Sequence, residues 1–162
     1  MKFIPLFCII FWVSCQSKSL KQQENIEAKI TKSENWTKYS TKDSIPEVLI
    51  EKISHLSLDN FTIANPNDNF NATDAVLDKN LPWRQLRLLC KSGDFWTIAY
   101  VHGGFASHYH VILAEILSNK IKQFKIGTTS ITLESISQLK NALEGKKIEF
   151  KSPQYEDGVD KA

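Results

Sequence analysis

The sequence predicts an α+β domain: an antiparallel β-meander of about four strands packed with two helices. Three observations carry that expectation. Residues 84–91, 95–102 and 107–117 are successive runs rich in leucine, aromatic and β-branched residues, the composition of packed strands. The breaks between them, Ser92-Gly93 and 103–107, are short and carry glycine, as connections between antiparallel neighbours do. Flanking the runs are two stretches with apolar residues at helical spacing, Leu49, Ile53 and Leu56 before them and Ile136, Leu139 and Leu143 after. Helices outside a run of strands imply a layered domain with the helices on one face of a curved sheet.

At the amino end, Lys2 precedes an apolar run over residues 3–13, broken only by Pro5. A bilayer needs about 20 apolar residues, so this run is the core of a signal peptide and not a spanning helix. Trp12-Val13-Ser14-Cys15 resembles the lipobox of bacterial lipoproteins, although Trp12 stands where an aliphatic residue is usual. The resemblance implies that Cys15 is lipidated, and that the mature chain is exported and anchored to a membrane, facing the periplasm or the cell surface. The expected organisation is a signal peptide at 1–14, the lipidated cysteine and a polar, lysine-rich tether at 15–43, one α+β domain at 44–151, and a flexible acidic-polar tail at 152–162.

Within the domain, Ser44-Ile45-Pro46-Glu47 has the form of a capping box with proline in the first turn, and starts the first helix. His55 lies beside its apolar stripe, at the surface. Residues 60–83 are irregular, with a short strand expected at 60–63. Asn65, Asn67, Asn69 and Asn71 alternate, and Asp78 falls twelfth from Asn67, the length of a calcium loop. Ala72 replaces the glycine such a loop needs, and the leading positions are uncharged, so the segment reads as Asx-rich turns. Ser118-Asn119 marks a turn into a strand at 120–126 with a basic face. Thr132 is placed to cap the second helix, Gly145 to stop it, and 146–150 to form an edge strand.

The register of the meander places the candidate site. A two-residue loop at Ser92-Gly93 sets Lys91 opposite Asp94. A five-residue loop at 103–107 sets His102 opposite His108 and Tyr100 opposite His110. Strand alternation then brings Tyr100, His102, His108 and His110 to one side of the sheet. Three imidazoles on one side are a candidate set of ligands for Zn2+ or Fe2+. His108-Tyr109-His110, preceded by glycines and followed five residues on by Glu115, is similar over about a dozen residues to the first metal motif of cupins; the second motif is absent. Tyr100, Phe105, Tyr109 and Trp96 form a candidate ligand surface.

Cys8 and Cys15 fall in the leader and at its end, which leaves Cys90 alone in the body and gives no internal disulfide. With Leu88 and Leu89 before it, Cys90 reads as a small buried apolar residue. A net charge of +2 with no clustered basic groove gives no support for nucleic-acid binding. The sequence favours a binding or interaction lipoprotein that meets a protein, peptide or small molecule through one sheet face and the 102–110 turn. The alternatives are a metal-dependent enzyme built on His102, His108 and His110, with Glu115 or Asp94 as base, and a passive or metal-buffering lipoprotein.

Overall fold

A computed structural model describes residues 24–57, 61–76, 78–105 and 108–151. The signal peptide, Cys15 and the tail at 152–162 lie outside the described residues. The elements in order are α1 (Ile26–Lys32), β1 (Thr37–Lys38), α2 (Glu47–Leu56), β2 (Arg84–Ser92), β3 (Phe95–His102), β4 (His108–Leu117), β5 (Lys120–Thr129), α3 (Ile136–Glu144) and β6 (Glu149–Phe150). The strands make one antiparallel sheet in the order β1-β2-β3-β4-β5-β6. The α+β meander is therefore present, with six strands in place of about four and three α-helices in place of two among the described residues.

The helices do not share a face. Ile26 and Ile30 of α1 and Leu139, Ala142 and Leu143 of α3 pack with Leu88, Cys90, Ala99, Val111 and Leu113 on one side of the sheet. Leu49 and Ile53 of α2 pack with Leu86, Leu89, Trp96, Ile98, Ile112 and Ala114 on the other. Both sides of the central strands are covered, and six of the eight β3 residues are buried. The one-sided expectation fails because β2–β4 are apolar on both alternating sets, the pattern of strands buried on both faces. In β2 the two sets fall out of step at Arg87. The register slips between Leu86 and Leu88, so Leu86 faces α2 while Leu88 faces α1 and α3.

Residues 26–38, expected in the tether, are folded onto the sheet. Asn25 caps α1 by accepting from the Glu27 amide, and Ile26 and Ile30 are 2% and 0% exposed. Burying each contributes about 1.5–3 kcal/mol, enough to hold a helix of seven residues that would not persist alone. Lys29 on α1 pairs with Glu115 on β4 at 2.7 Å, and Glu27 pairs with Lys125 on β5. Just beyond, β1 pairs with β2 through Thr37–Lys91 and Lys38–Cys90.

Several ends differ from expectation by a few residues. The N-cap of α2 is Pro46, with no side-chain cap; Ser44 closes a short 3-10 turn at Lys42–Ser44. The cap of α3 is Ser135, whose hydroxyl accepts from the Gln138 amide, and not Thr132. Beyond α3 it is Lys146 that takes the left-handed conformation, at φ 51°, while Gly145 stays at −76°. The β2–β3 loop is Gly93-Asp94, with Ser92 opposite Phe95 and Lys91 opposite Trp96, one residue on from the expected register. Gly93, at φ 55°, is the first residue of that loop, the position where a two-residue hairpin turn takes a positive φ and glycine adopts it without strain. Ser118 and Asn119 both take positive φ, the form of a tight hairpin turn. Among the described residues no helix is long and apolar enough to cross a membrane.

Candidate functional site

The register of β3 on β4 is the expected one: His102 opposite His108, Tyr100 opposite His110. Extended across the sheet, it makes two rows at one end of the α2-covered side. The first runs Arg84, His102, His108; the second runs Leu86, Tyr100, His110, Thr128, Glu149. Arg84 and Thr128 are the members of this constellation that sequence reading missed. Only the pairing of the outer strands reveals them, since nothing local marks either residue.

The three imidazoles come together. The His108 and His110 ring centroids are 4.6 Å apart, and each is 5.9 Å from His102. His110 is 1% exposed and lies flat on Tyr100, at 4.8 Å and 7° between planes. Phe61 meets Tyr100 edge-on and lies under the Arg84 guanidinium at 5.2 Å. Among the described residues neither ring nitrogen of His110 has a hydrogen-bond partner, although both are buried. A buried polar atom without a partner costs about 1–3 kcal/mol. Burial first, then the charges of His108, His102, Arg84 and Lys151, pushes the His110 pKa down to about 3, so the ring is neutral at ordinary pH.

The segment over 61–83 buttresses this end of the sheet. Ala64 makes a parallel bridge to Gln85, whose side-chain amide donates to the Asp68 carbonyl at 2.6 Å. Asn71 is 1% exposed, and its side-chain amide donates to the carbonyls of Asp78 and Leu81. The expected strand at 60–63 is replaced by that single bridge at Ala64; Asn60 lies outside the described residues. The Gly103 amide donates to the Trp83 carbonyl, and a Cβ at Gly103 would fall 1.9 Å from the Asn71 carbonyl oxygen. Glycine is needed there for close backbone approach and not for the turn. Asn65, with its side-chain oxygen on the Lys42 amide and its nitrogen on Asp68, ties loops together.

A shallow hollow of about 510 Å3 opens beside the histidines, lined by His108, Thr128, Thr129, Ser130, Lys146, Lys147 and Glu149. His108 is the wall it shares with the imidazole cluster.

The other candidates are dispersed. Tyr100 and Trp96 are buried at 1% and 9% exposure, Trp96 stacked on Tyr39. Tyr109 packs on the opposite side, with the α1–α3 core. Only Phe105, 97% exposed at the β3–β4 connection, presents its ring to solvent, so the four aromatics do not form one surface. Glu115 points to the α1 side and is engaged by Lys29. Asp94 sits in the β2–β3 loop, at the far end of the sheet from His102. Neither candidate base is beside the imidazoles. Among the described residues no group of three or more His, Cys, Asp or Glu side chains is arranged to hold a metal ion. Cys90 is buried, and burial pushes its thiol pKa up, which keeps it protonated and unreactive.

No protein-family model, no curated protein and no solved structure matches this chain.

Proposed function

We propose that the chain is a cell-envelope binding module, held at a membrane through lipid on Cys15, that takes its ligand at the histidine-bearing end of the sheet. One observation carries the binding reading: His110 is enclosed with both ring nitrogens unsatisfied, in a cluster of two further imidazoles. A fold that tolerates such a group without a partner among the described residues is explained by a ligand that supplies one. The hollow at His108 gives that ligand a way in. The leader, the lipobox-like Trp12-Val13-Ser14-Cys15 and the polar residues that follow support the anchored location.

The reading is tested by recording backbone amide spectra of the protein with fragment mixtures containing carboxylates, phosphates, amines, sugars or divalent metals. Shifts should gather at residues 84–86, 100–104, 108–110 and 126–129, and should disappear in His110→Leu. Scattered shifts or none, with His110→Leu simply more stable than the native protein, would reduce His110 to a packing residue. For the anchor, Cys15→Ser should abolish membrane association; unchanged association with normal processing would reject lipidation.

A further inference from the structure

The two ends of the sheet stand in different relation to the amino-terminal lead. Strand β4 runs from His108 at the histidine end to Leu117 at the other, ten residues and about 30 Å. The chain enters the fold near the Leu117 end. There the Gln123 side-chain amide donates to the Glu24 carbonyl at 3.2 Å, Gln123 lies opposite Glu115, and Lys29 of α1 is paired with Glu115. Close to this entry the β4–β5 turn, Ser118-Asn119, is exposed, flanked by Leu117 at 47% exposure and by the exposed Lys120 and Lys122. The β2–β3 loop adjoins it, the Asp94 carbonyl accepting from the Ile116 amide at 2.8 Å. An apolar side chain between lysines suits a lipid interface. Leucine enters the boundary between headgroups and acyl chains, and ammonium groups on flexible stems stay at the level of the headgroups.

Covalent length decides which end meets the membrane. Eight residues, 16–23, separate Cys15 from Glu24, and fully extended they span at most about 30 Å. To bring the histidine end to the bilayer, they would run back along β4 from beside Glu115 to beyond His108, about 23 Å. They would then pass the 103–107 connection, where Phe105 stands out. That consumes the whole reach, and the β4–β5 end needs almost none of it. Phe105 is the rival for the lipid surface on exposure alone, and the length of the lead turns it away. Resting on the reading of Cys15 as lipidated, we propose that the β4–β5 turn, with Leu117, Lys120 and Lys122, seats on the headgroup surface of the anchoring membrane. The histidine end then stands one strand length above it, and its ligand arrives from the aqueous side and not from the bilayer beneath.

The experiment uses the full chain, made with its leader and reconstituted in phosphatidylcholine–phosphatidylglycerol vesicles that carry a nitroxide on a fraction of the headgroups. A fluorophore is attached at Asp94→Cys or, separately, at Phe105→Cys; Cys90 is buried and stays unlabelled. The label at 94 should be quenched at least threefold more than the label at 105. Leu117→Ser combined with Lys122→Gln, both at exposed positions, should lower quenching at 94 about twofold. Equal quenching at the two sites, or stronger quenching at 105, overturns the proposed orientation while co-sedimentation with the vesicles leaves the anchor standing. Undiminished quenching at 94 in the double variant overturns the contact through Leu117 and Lys122. If the chain does not sediment with vesicles at all, the anchor and the orientation fall together.

Discussion

His110 is where the chain departs furthest from what packing alone would choose. An aliphatic side chain would fill the same place under Tyr100 without two unsatisfied nitrogens, and the site's electrostatics give a direct way to see the difference. In the unfolded chain His110 takes up a proton near pH 6.5; in the folded protein it stays neutral down to about 3. Between those values the unfolded state binds a proton that the folded state refuses. Stability therefore rises with pH across that window and is lost as pH falls below about 6.5, by up to ~1.4 kcal/mol per unit. Urea unfolding at pH 7 and pH 5 should show a loss on the order of 2 kcal/mol from this group, and His110→Leu should remove that share. An unchanged slope would mean that His110 is protonated in the fold. The pairing of His102 with His108, and of Tyr100 with His110, was legible in the sequence because glycine fixes the loop and alternation fixes the faces. That His110 would be buried was not legible, because burial is set by tertiary packing that no local pattern in β4 records.

At the scale of elements, the strands and the two longer helices follow from apolar periodicity, and α1 does not. Its seven residues carry two buried isoleucines among charged neighbours, too little signal to separate a docked helix from a polar tether. What fixes it is tertiary: a hydrophobic surface left by β2–β4 and α3, and carboxylates and ammonium groups that meet across the gap. The exposed parts of those ion pairs contribute little, so the isoleucines should dominate. Ile30→Ala should cost about 2–5 kcal/mol in chemical denaturation, as for any large residue truncated in a packed core. A loss below about 0.5 kcal/mol, the range of surface changes, would return this segment to the status of a tether. The misplaced helix caps have a plainer origin. Thr132 and Ser135 both have capping chemistry, and sequence does not say which hydroxyl the chain geometry will aim at an amide.

For the molecule as a whole, the sheet is a meander in which the four long strands β2–β5 pair in chain order through short connections. Such topologies need few costly long-range closures before the core forms. Helices on both sides give β2–β4 two hydrophobic interfaces, while the short strands β1 and β6 pair only with Cys90 and Lys91 of β2 and with Gly127 and Thr128 of β5. The two-sided architecture was written in the sequence as runs apolar at odd and even positions alike; a one-sided sheet would have alternated. The slip at Arg87 has a bearing on which lengths of chain this architecture accepts. Because Arg87 is the surplus residue opposite β3, excising it leaves Leu86 and Leu88 as ordinary alternating neighbours, each still on its own side. A single-residue deletion inside a central strand ordinarily inverts everything downstream. Here ΔArg87 should melt within a few degrees of the native protein, whereas ΔLeu89 should abolish cooperative melting, so that this strand has one position at which its length can vary without penalty to the fold.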